Sequence, residues 1–320
     1  MDDAAAAIGR YATSPFQIPW KGWVRVAKRM FARFGEADIS LRCAGVAFFT
    51  FFSIFPAIAA AVLTYGLFLD RTLLRTHLDS IQPLIPPQAY TIISDRLDAL
   101  LAQPEAGLGI GLVLSLGIAL WSGSRGVGSL VGLISEAYRE DDERNFIVSA
   151  LLSVGLTVGG IIFLAVAILT VAALPALFLA LPLGAYFEWL VLLLRWPLLF
   201  LFVMSALMVL YRLGPDRKDA KLVWLVPGAF VGTLGWLALS LGFSFYVQNF
   251  GNYSATFGSL SVAVVTMLWM YYSILVFASG AILNAEAEMQ TRMDSTTGPP
   301  KPVGQRGAVV ADQIPEMPED

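Results

Sequence analysis

The chain alternates long apolar runs with short polar segments. Six runs, at 44–69, 108–134, 146–173, 185–210, 222–247 and 257–283, are each long enough to cross a hydrocarbon core as a helix, which takes roughly 20 residues for ~30 Å. Backbone N–H and C=O groups in lipid must be paired within their own segment, so these runs predict six transmembrane helices in an all-α chain. The stretch 174–183 between the third and fourth runs stays apolar but holds Pro175 and Pro182. These favour a turn and keep the two runs separate.

Two segments outside the runs have helical spacing. Trp20, Trp23, Val24, Ala27, Met30, Phe31 and Phe34 recur at helical intervals among Lys21, Arg25, Lys28, Arg29 and Arg33. This predicts a basic amphipathic helix lying on the inner leaflet. Residues 90–102 set Ile92, Ile93, Leu97, Leu100 and Leu101 against Asp95, Arg96 and Asp98, which predicts a helix in an outer loop. Residues 1–15 and 292–320 lack apolar periodicity. They are expected to be disordered tails around a membrane domain at 16–291.

Lys and Arg orient the bundle. Seven precede the first run, and Arg212, Arg217, Lys218 and Lys221 lie between the fourth and fifth, whereas the third-to-fourth and fifth-to-sixth connections have none. The positive-inside rule then predicts both termini in the cytoplasm. Residues 1–15 lack the basic start and long apolar core of a cleavable signal, so the first run is expected to stay in the mature protein.

Composition agrees with a bilayer address: 57% of residues are hydrophobic and 14% charged, with a mean hydropathy of +0.69. A formal net charge of -3 gives no reason to expect a nucleic-acid surface. Cys43 is the one cysteine and His77 the one histidine, which excludes an internal disulfide and a histidine cluster. No GxxxxGK[ST] loop, metal-ligand spacing or Ser-His pairing occurs. Catalytic residues, cofactors and metals are therefore not expected.

Candidate chemistry lies where polar residues interrupt apolar runs. Arg125, in Trp121-Ser-Gly-Ser-Arg-Gly126, sits about 15 Å of helix from the acidic end of its run at Glu136. An Arg at a helix centre costs ~2.5–3.5 kcal/mol on insertion scales. It either pairs structurally or contacts an anion or headgroup in a cavity, with Trp121 and Ser124 beside it. Arg195, with Glu188 seven residues earlier on a similar face, is either an outer interfacial anchor or the mouth of a hydrophilic cleft. Pro56 is expected to kink the first run, with Thr50 and Ser53 available to the freed backbone groups. Asn284, Glu286 and Glu288 either end the sixth run as exposed polar residues or turn Asn284 inward to hydrogen-bond other helices. Gly128xxxGly132, Gly155xxxGly159 and Gly228xxxGly232 permit close helix approach, within one chain or at a dimer face.

Taken in order, these blocks resemble the YihY/BrkB family of bacterial inner-membrane proteins. The resemblance covers about residues 20–288. It rests on Ala44-Gly-Val-Ala-Phe-Phe-Thr-Phe-Phe-Ser-Ile-Phe-Pro56, the Trp121 to Gly126 block, Arg195-Trp-Pro197, Leu210-Tyr-Arg-Leu-Gly-Pro-Asp216, Tyr253-Ser-Ala-Thr-Phe-Gly-Ser259 and Gly280-Ala-Ile-Leu-Asn-Ala-Glu286. It implies a six-helix inner-membrane fold and adds Tyr253 as a candidate cavity contact. The chain departs from the family's pattern where Tyr is commoner, at Phe48, Phe49 and Phe257, and at Ser135 and Ile282, where Asn and an acid are commoner. Members have carried ribonuclease and virulence labels. The expected partners are the bilayer, an amphiphilic or lipid-like substrate, and an envelope protein. The leading expectation is a non-enzymatic translocator of an envelope amphiphile, ahead of a membrane anchor for envelope partners and, remotely, a ribonuclease.

Overall fold

The computed structural model describes residues 5–35, 39–68, 94, 105–168, 185–250 and 260–313. Long helices follow in order as α1 (Trp20–Gly35), α2 (Ile39–Phe68), α3 (Glu105–Ala137), α4 (Phe146–Ile168), α5 (Ala185–Leu213), α6 (Leu222–Phe250) and α7 (Leu260–Glu288). A 3-10 turn at Pro15–Gln17 precedes them and a short helix α8 (Val309–Asp312) follows. Each of the six apolar runs is helical where it is described. Among the described residues α4, α5, α6 and α7 hold stretches long and apolar enough to cross a membrane by themselves. The proposed outer-loop helix at 90–102, the turn at 174–183 and Tyr253 lie outside the described residues, apart from the single helical position 94.

Lipid is the solvent these helices are built for. Only 6% of the Phe146–Phe163 stretch of α4 is buried, and Ile161 and Ile162 are both exposed. In water that surface would be a large aggregation site, whereas in hydrocarbon it costs nothing. The core gathers instead around α7, which contacts α1, α2, α3, α6 and α8. Cys43 and Val46 of α2, Ile134 of α3, Tyr211 of α5, Leu225 of α6, and Ala278 and Ile282 of α7 form one buried cluster.

Small residues let α6 and α7 touch backbone to backbone. A methyl group on Gly228 would overlap the Gly280 carbonyl oxygen and Asn284, and one on Gly280 would lie 2.5 Å from the Gly228 carbonyl oxygen and the Tyr211 hydroxyl. The Gly228 motif therefore packs within the chain. Gly155 and Gly159 of α4 have nothing within 4 Å of an added methyl. Gly228→Ala should therefore cost about 1–3 kcal/mol through overpacking, and Gly159→Ala should leave the melting temperature in detergent nearly unchanged. Equal melting shifts for the two variants would remove the basis for a tight α6–α7 crossing.

Several expectations need correction. Pro56 lies within α2, but Thr50 Oγ1 donates to the Val46 carbonyl (2.8 Å) and Ser53 Oγ to the Thr50 carbonyl (2.7 Å). Neither hydroxyl turns to the Phe52 carbonyl that a proline at 56 leaves without its helical donor. The two tails are not disordered where they are described. Residues 292–313 form a strap across the end of the bundle, with Ala220 and Thr296 in an antiparallel bridge and Val310 fully buried in the core. The strap needs no apolar period because polar bonds hold it: the guanidinium of Arg306 reaches the carbonyls of Ala311 (2.7 Å) and Arg292 (2.6 Å). Residues 5–15 are held likewise, as Gln290 Nε2 donates to the Ile8 carbonyl and Thr291 Oγ1 to the Ala12 carbonyl.

Candidate functional site

The α7 terminus, read from sequence as exposed or turned inward, is turned inward. Asn284, Glu286 and Glu288 are each at most 1% exposed. Asn284 accepts the Gly228 N–H (2.7 Å) and donates to the Leu225 carbonyl (3.1 Å). It thereby ties α7 to the turn of α6 that Pro227 interrupts.

Beneath Asn284 the two glutamates are neutralised by arginines from distant segments. Glu286 takes Arg29 of α1 at 2.6 Å on one oxygen and Arg139, just after α3, at 2.8 Å on the other. Glu288 binds Arg217 at 2.7 and 3.3 Å, with Ser295 of the strap donating at 2.8 Å. The Arg217 guanidinium also lies 5.0 Å from the Tyr138 ring centroid. Burial alone would lower the Arg217 pKa, but the charge and hydrogen bonds of Glu288 outweigh burial and hold it above its ordinary value. Burial, aided by the Glu288 charge, pushes the Tyr138 phenol well up, so it stays protonated.

Arg139 has a φ of 60°. It occupies the left-handed position that ends α3, where Gly or Asn is usual, and Glu140 N–H closes the turn on the Ser135 carbonyl at 2.9 Å. A backbone strain of about 1–3 kcal/mol there is offset by the contact that only a long cation makes with Glu286. These arginines were legible in the sequence only as orienting charges.

The strap is fastened by a carboxylate. Asp294 accepts the Lys301 N–H, the Thr296 N–H and the Thr296 hydroxyl at 2.8–2.9 Å. Its partial burial works against the charged form, but these bonds and the Arg306 charge prevail and hold its pKa below the ordinary value. Because the folded pKa is the lower one, this stabilisation is complete above about pH 4 and is lost as pH falls through the folded value. Strap amides should therefore gain hydrogen-exchange rate on acidification below that point. Asp294→Asn should exchange fast already at neutral pH, with no further acid dependence from this site.

The second polar site is Arg125. It is exposed on α3 and its guanidinium lies 5.6 Å from the Trp121 ring centroid. Among the described residues no carboxylate pairs with it. Trp121, Ser124, Arg125 and Ser129 of α3, Phe49 of α2, and Ser149 and Ser153 of α4 line a groove of about 520 Å³. Ser124 Oγ donates to the Trp121 carbonyl and Ser153 Oγ to the Ser149 carbonyl, so these hydroxyls keep their lone pairs toward the groove. Val127 and Leu130 line a separate apolar cleft with α4 and α5. At 100° per residue Val127 is nearly opposite Arg125 on the helix, so the Arg125 groove opens on the other side of α3.

Of the residues singled out by sequence, the structure brings Trp121, Ser124 and Arg125 together and places Asn284 in the other polar cluster. Arg195 lies on α5 and Pro56 in α2, but their side chains are outside those described, as is Tyr253. Among the described residues no three His, Cys, Asp or Glu side chains converge as a metal site.

A sequence profile of the family described as "Virulence factor BrkB" matches residues 30–305. A ribonuclease-like protein, YfkH, of Bacillus subtilis is 32% identical over 269 residues, which cover 81% of this chain and 93% of that protein. A UPF0761 membrane protein of Pseudoalteromonas atlantica is 32% identical over 90 residues, 28% of this chain and 30% of its own. One of Aeromonas salmonicida is 34% identical over 82 residues, 26% and 28% of the two chains. No solved structure matches.

Proposed function

Because the chain belongs to the Virulence factor BrkB family of membrane proteins, we propose that it moves or hands over an anionic amphiphile, an envelope lipid by class, along the groove that contains Arg125. In this reading six helices cross the bacterial inner membrane with both termini in the cytoplasm, and no step is enzymatic. The grouping of Arg139, Arg144, Arg217 and Lys221 at the strap end of the bundle supports that orientation.

The observation that carries the proposal is the energetic deficit of Arg125. A mid-helix arginine costs ~2.5–3.5 kcal/mol, and stacking on Trp121 returns only about 0.5–2 kcal/mol. An anionic headgroup supplies the missing charge, and hydroxyl-lined walls accept its hydration. The groove spans 117–129 on α3, about 18 Å of helix, roughly half of a bilayer core. A headgroup moves inside it while its chains stay in lipid.

Native mass spectrometry of protein extracted from anionic and zwitterionic bilayers tests the binding step. Wild type should retain an anionic lipid that Arg125→Gln loses. Equal retention by both would refute an Arg125 headgroup site.

The ordered cap made by the strap and the N-terminal segment favours a second reading, an anchor for an envelope partner. That reading requires deletion of 292–313 to abolish function and Arg125→Ala to leave it intact. A ribonuclease is favoured by no observation beyond the name of YfkH.

A further inference from the structure

The sequence pattern of α1 reads as one apolar stripe, but the fold divides it. Val26 is fully buried and, with Met30, packs on Leu283 and Ala287 of α7, Gly22 lies against Ile8 and Ile18, and Arg29 on the same side is taken by Glu286. Trp20 and Phe31 are 78% and 73% exposed. On the helical wheel they sit with Val24 on the half turned away from Val26, directly beside Lys21, Arg25 and Lys28. Among the described residues those three cations have no carboxylate partner, in contrast to Arg29. The exposed half of α1 is thus aromatic along one edge and cationic along the other. The 3-10 turn before it carries a further exposed ring, Phe16, 71% exposed.

We infer that this face of α1 is a docking surface for the anionic headgroup layer of a phospholipid leaflet, with the aromatic edge inserted and the cationic edge on the phosphates. Charge complementarity selects the occupant. A neutral or cationic partner leaves three unpaired cations against it, whereas water leaves two large aromatic rings exposed. The axis of α1 turns 70° from that of the first half of α2 (Ile39–Ile54), so a crossing α2 lays α1 close to the membrane plane. The opposite face of the same helix grips Glu286 through Arg29, so lipid charge and the inner end of α7 meet on one rigid element. The inference uses the membrane-spanning reading but does not need translocation through the Arg125 groove.

The test uses the full chain in nanodiscs, with an environment-sensitive fluorophore on Phe31→Cys. Cys43 is fully buried and stays unlabelled. Lipids brominated near the headgroup should quench the label in discs containing phosphatidylglycerol and much less in pure phosphatidylcholine. Each cation is worth about fivefold in partitioning near an anionic surface. Lys21→Gln, Arg25→Gln and Lys28→Gln together should therefore lower the ratio of quenched to exposed label by roughly a hundredfold. Quenching that ignores lipid charge overturns the inference. So does burial of the label that follows the number of protein copies per disc, which makes the face a subunit interface. Arg125→Ala should leave the lipid response intact even where lipid movement is lost, which separates the failure of one reading from that of the other.

Discussion

Glu288→Ala is expected to destabilise the protein by about 3–5 kcal/mol, more than any other single charge removal at the strap end of the bundle. Glu288 is 1% exposed and the Arg217 side chain 3%. Deleting the carboxylate leaves a guanidinium buried without its partner, and Ser295 loses its acceptor. Glu286→Ala should cost less, because its partners Arg29 and Arg139 keep 26% and 32% of their side-chain surface and can turn toward water. Removing Arg29 alone should cost least, since Arg139 still neutralises Glu286. Thermal unfolding in detergent gives the ranking. The double variant Glu288→Leu with Arg217→Met should recover much of the loss, since a buried pair replaced by apolar groups of similar volume is often neutral. No recovery would mean that the pair does more than balance charge.

Arg125→Ala is the second large effect, and it falls on activity instead of stability. The side chain is exposed and, among the described residues, stacks on Trp121 alone and pairs with no carboxylate, so its removal should change stability by no more than about 0.5 kcal/mol. In a bilayer the variant even loses an insertion cost. Movement of an anionic amphiphile should fall to the protein-free background, because among the described residues no other cation lines that groove. Arg125→Lys should retain part of the activity: it keeps the charge but loses the planar stacking and the two-pronged contact with a phosphate. A structural role for Arg125 makes the opposite pattern, with reduced stability and unchanged activity.

The helices were legible in sequence because lipid permits so few alternatives. A run such as 222–247 has to be a helix if it meets hydrocarbon at all, and α6 covers it. Arg125 was legible for the same reason, as a charge that the bilayer makes expensive. Glu286 and Glu288 were not, because an acid in the last turn of a helix reads as a solvated end. Their partners come from positions 257, 147 and 71 residues away in sequence, and no local pattern encodes such pairings. The excess of Arg in the segments that meet at the strap end was the available signal, and it was absorbed by the orientation rule. The strap was missed on similar grounds. Its Pro, Gly and Thr residues give no period, and its order comes from Arg306, Asp294 and Glu140, the last of which accepts the Val309 N–H at 2.7 Å. The aromatic and basic pattern of α1 was read as one amphipathic stripe, and the split of that pattern between protein and surface needed the position of α7.

If Arg125 guides an anionic headgroup across the bilayer, reconstituted vesicles will show it. Fluorescently labelled phosphatidylglycerol is bleached from outside, and the protected fraction reports lipid that has not crossed. Wild-type protein should make nearly all of the label accessible, while Arg125→Ala, with an unchanged melting temperature, should leave the inner half protected as in protein-free vesicles. Protection of the inner half by wild type, or identical bleaching by wild type and Arg125→Ala, would contradict the account.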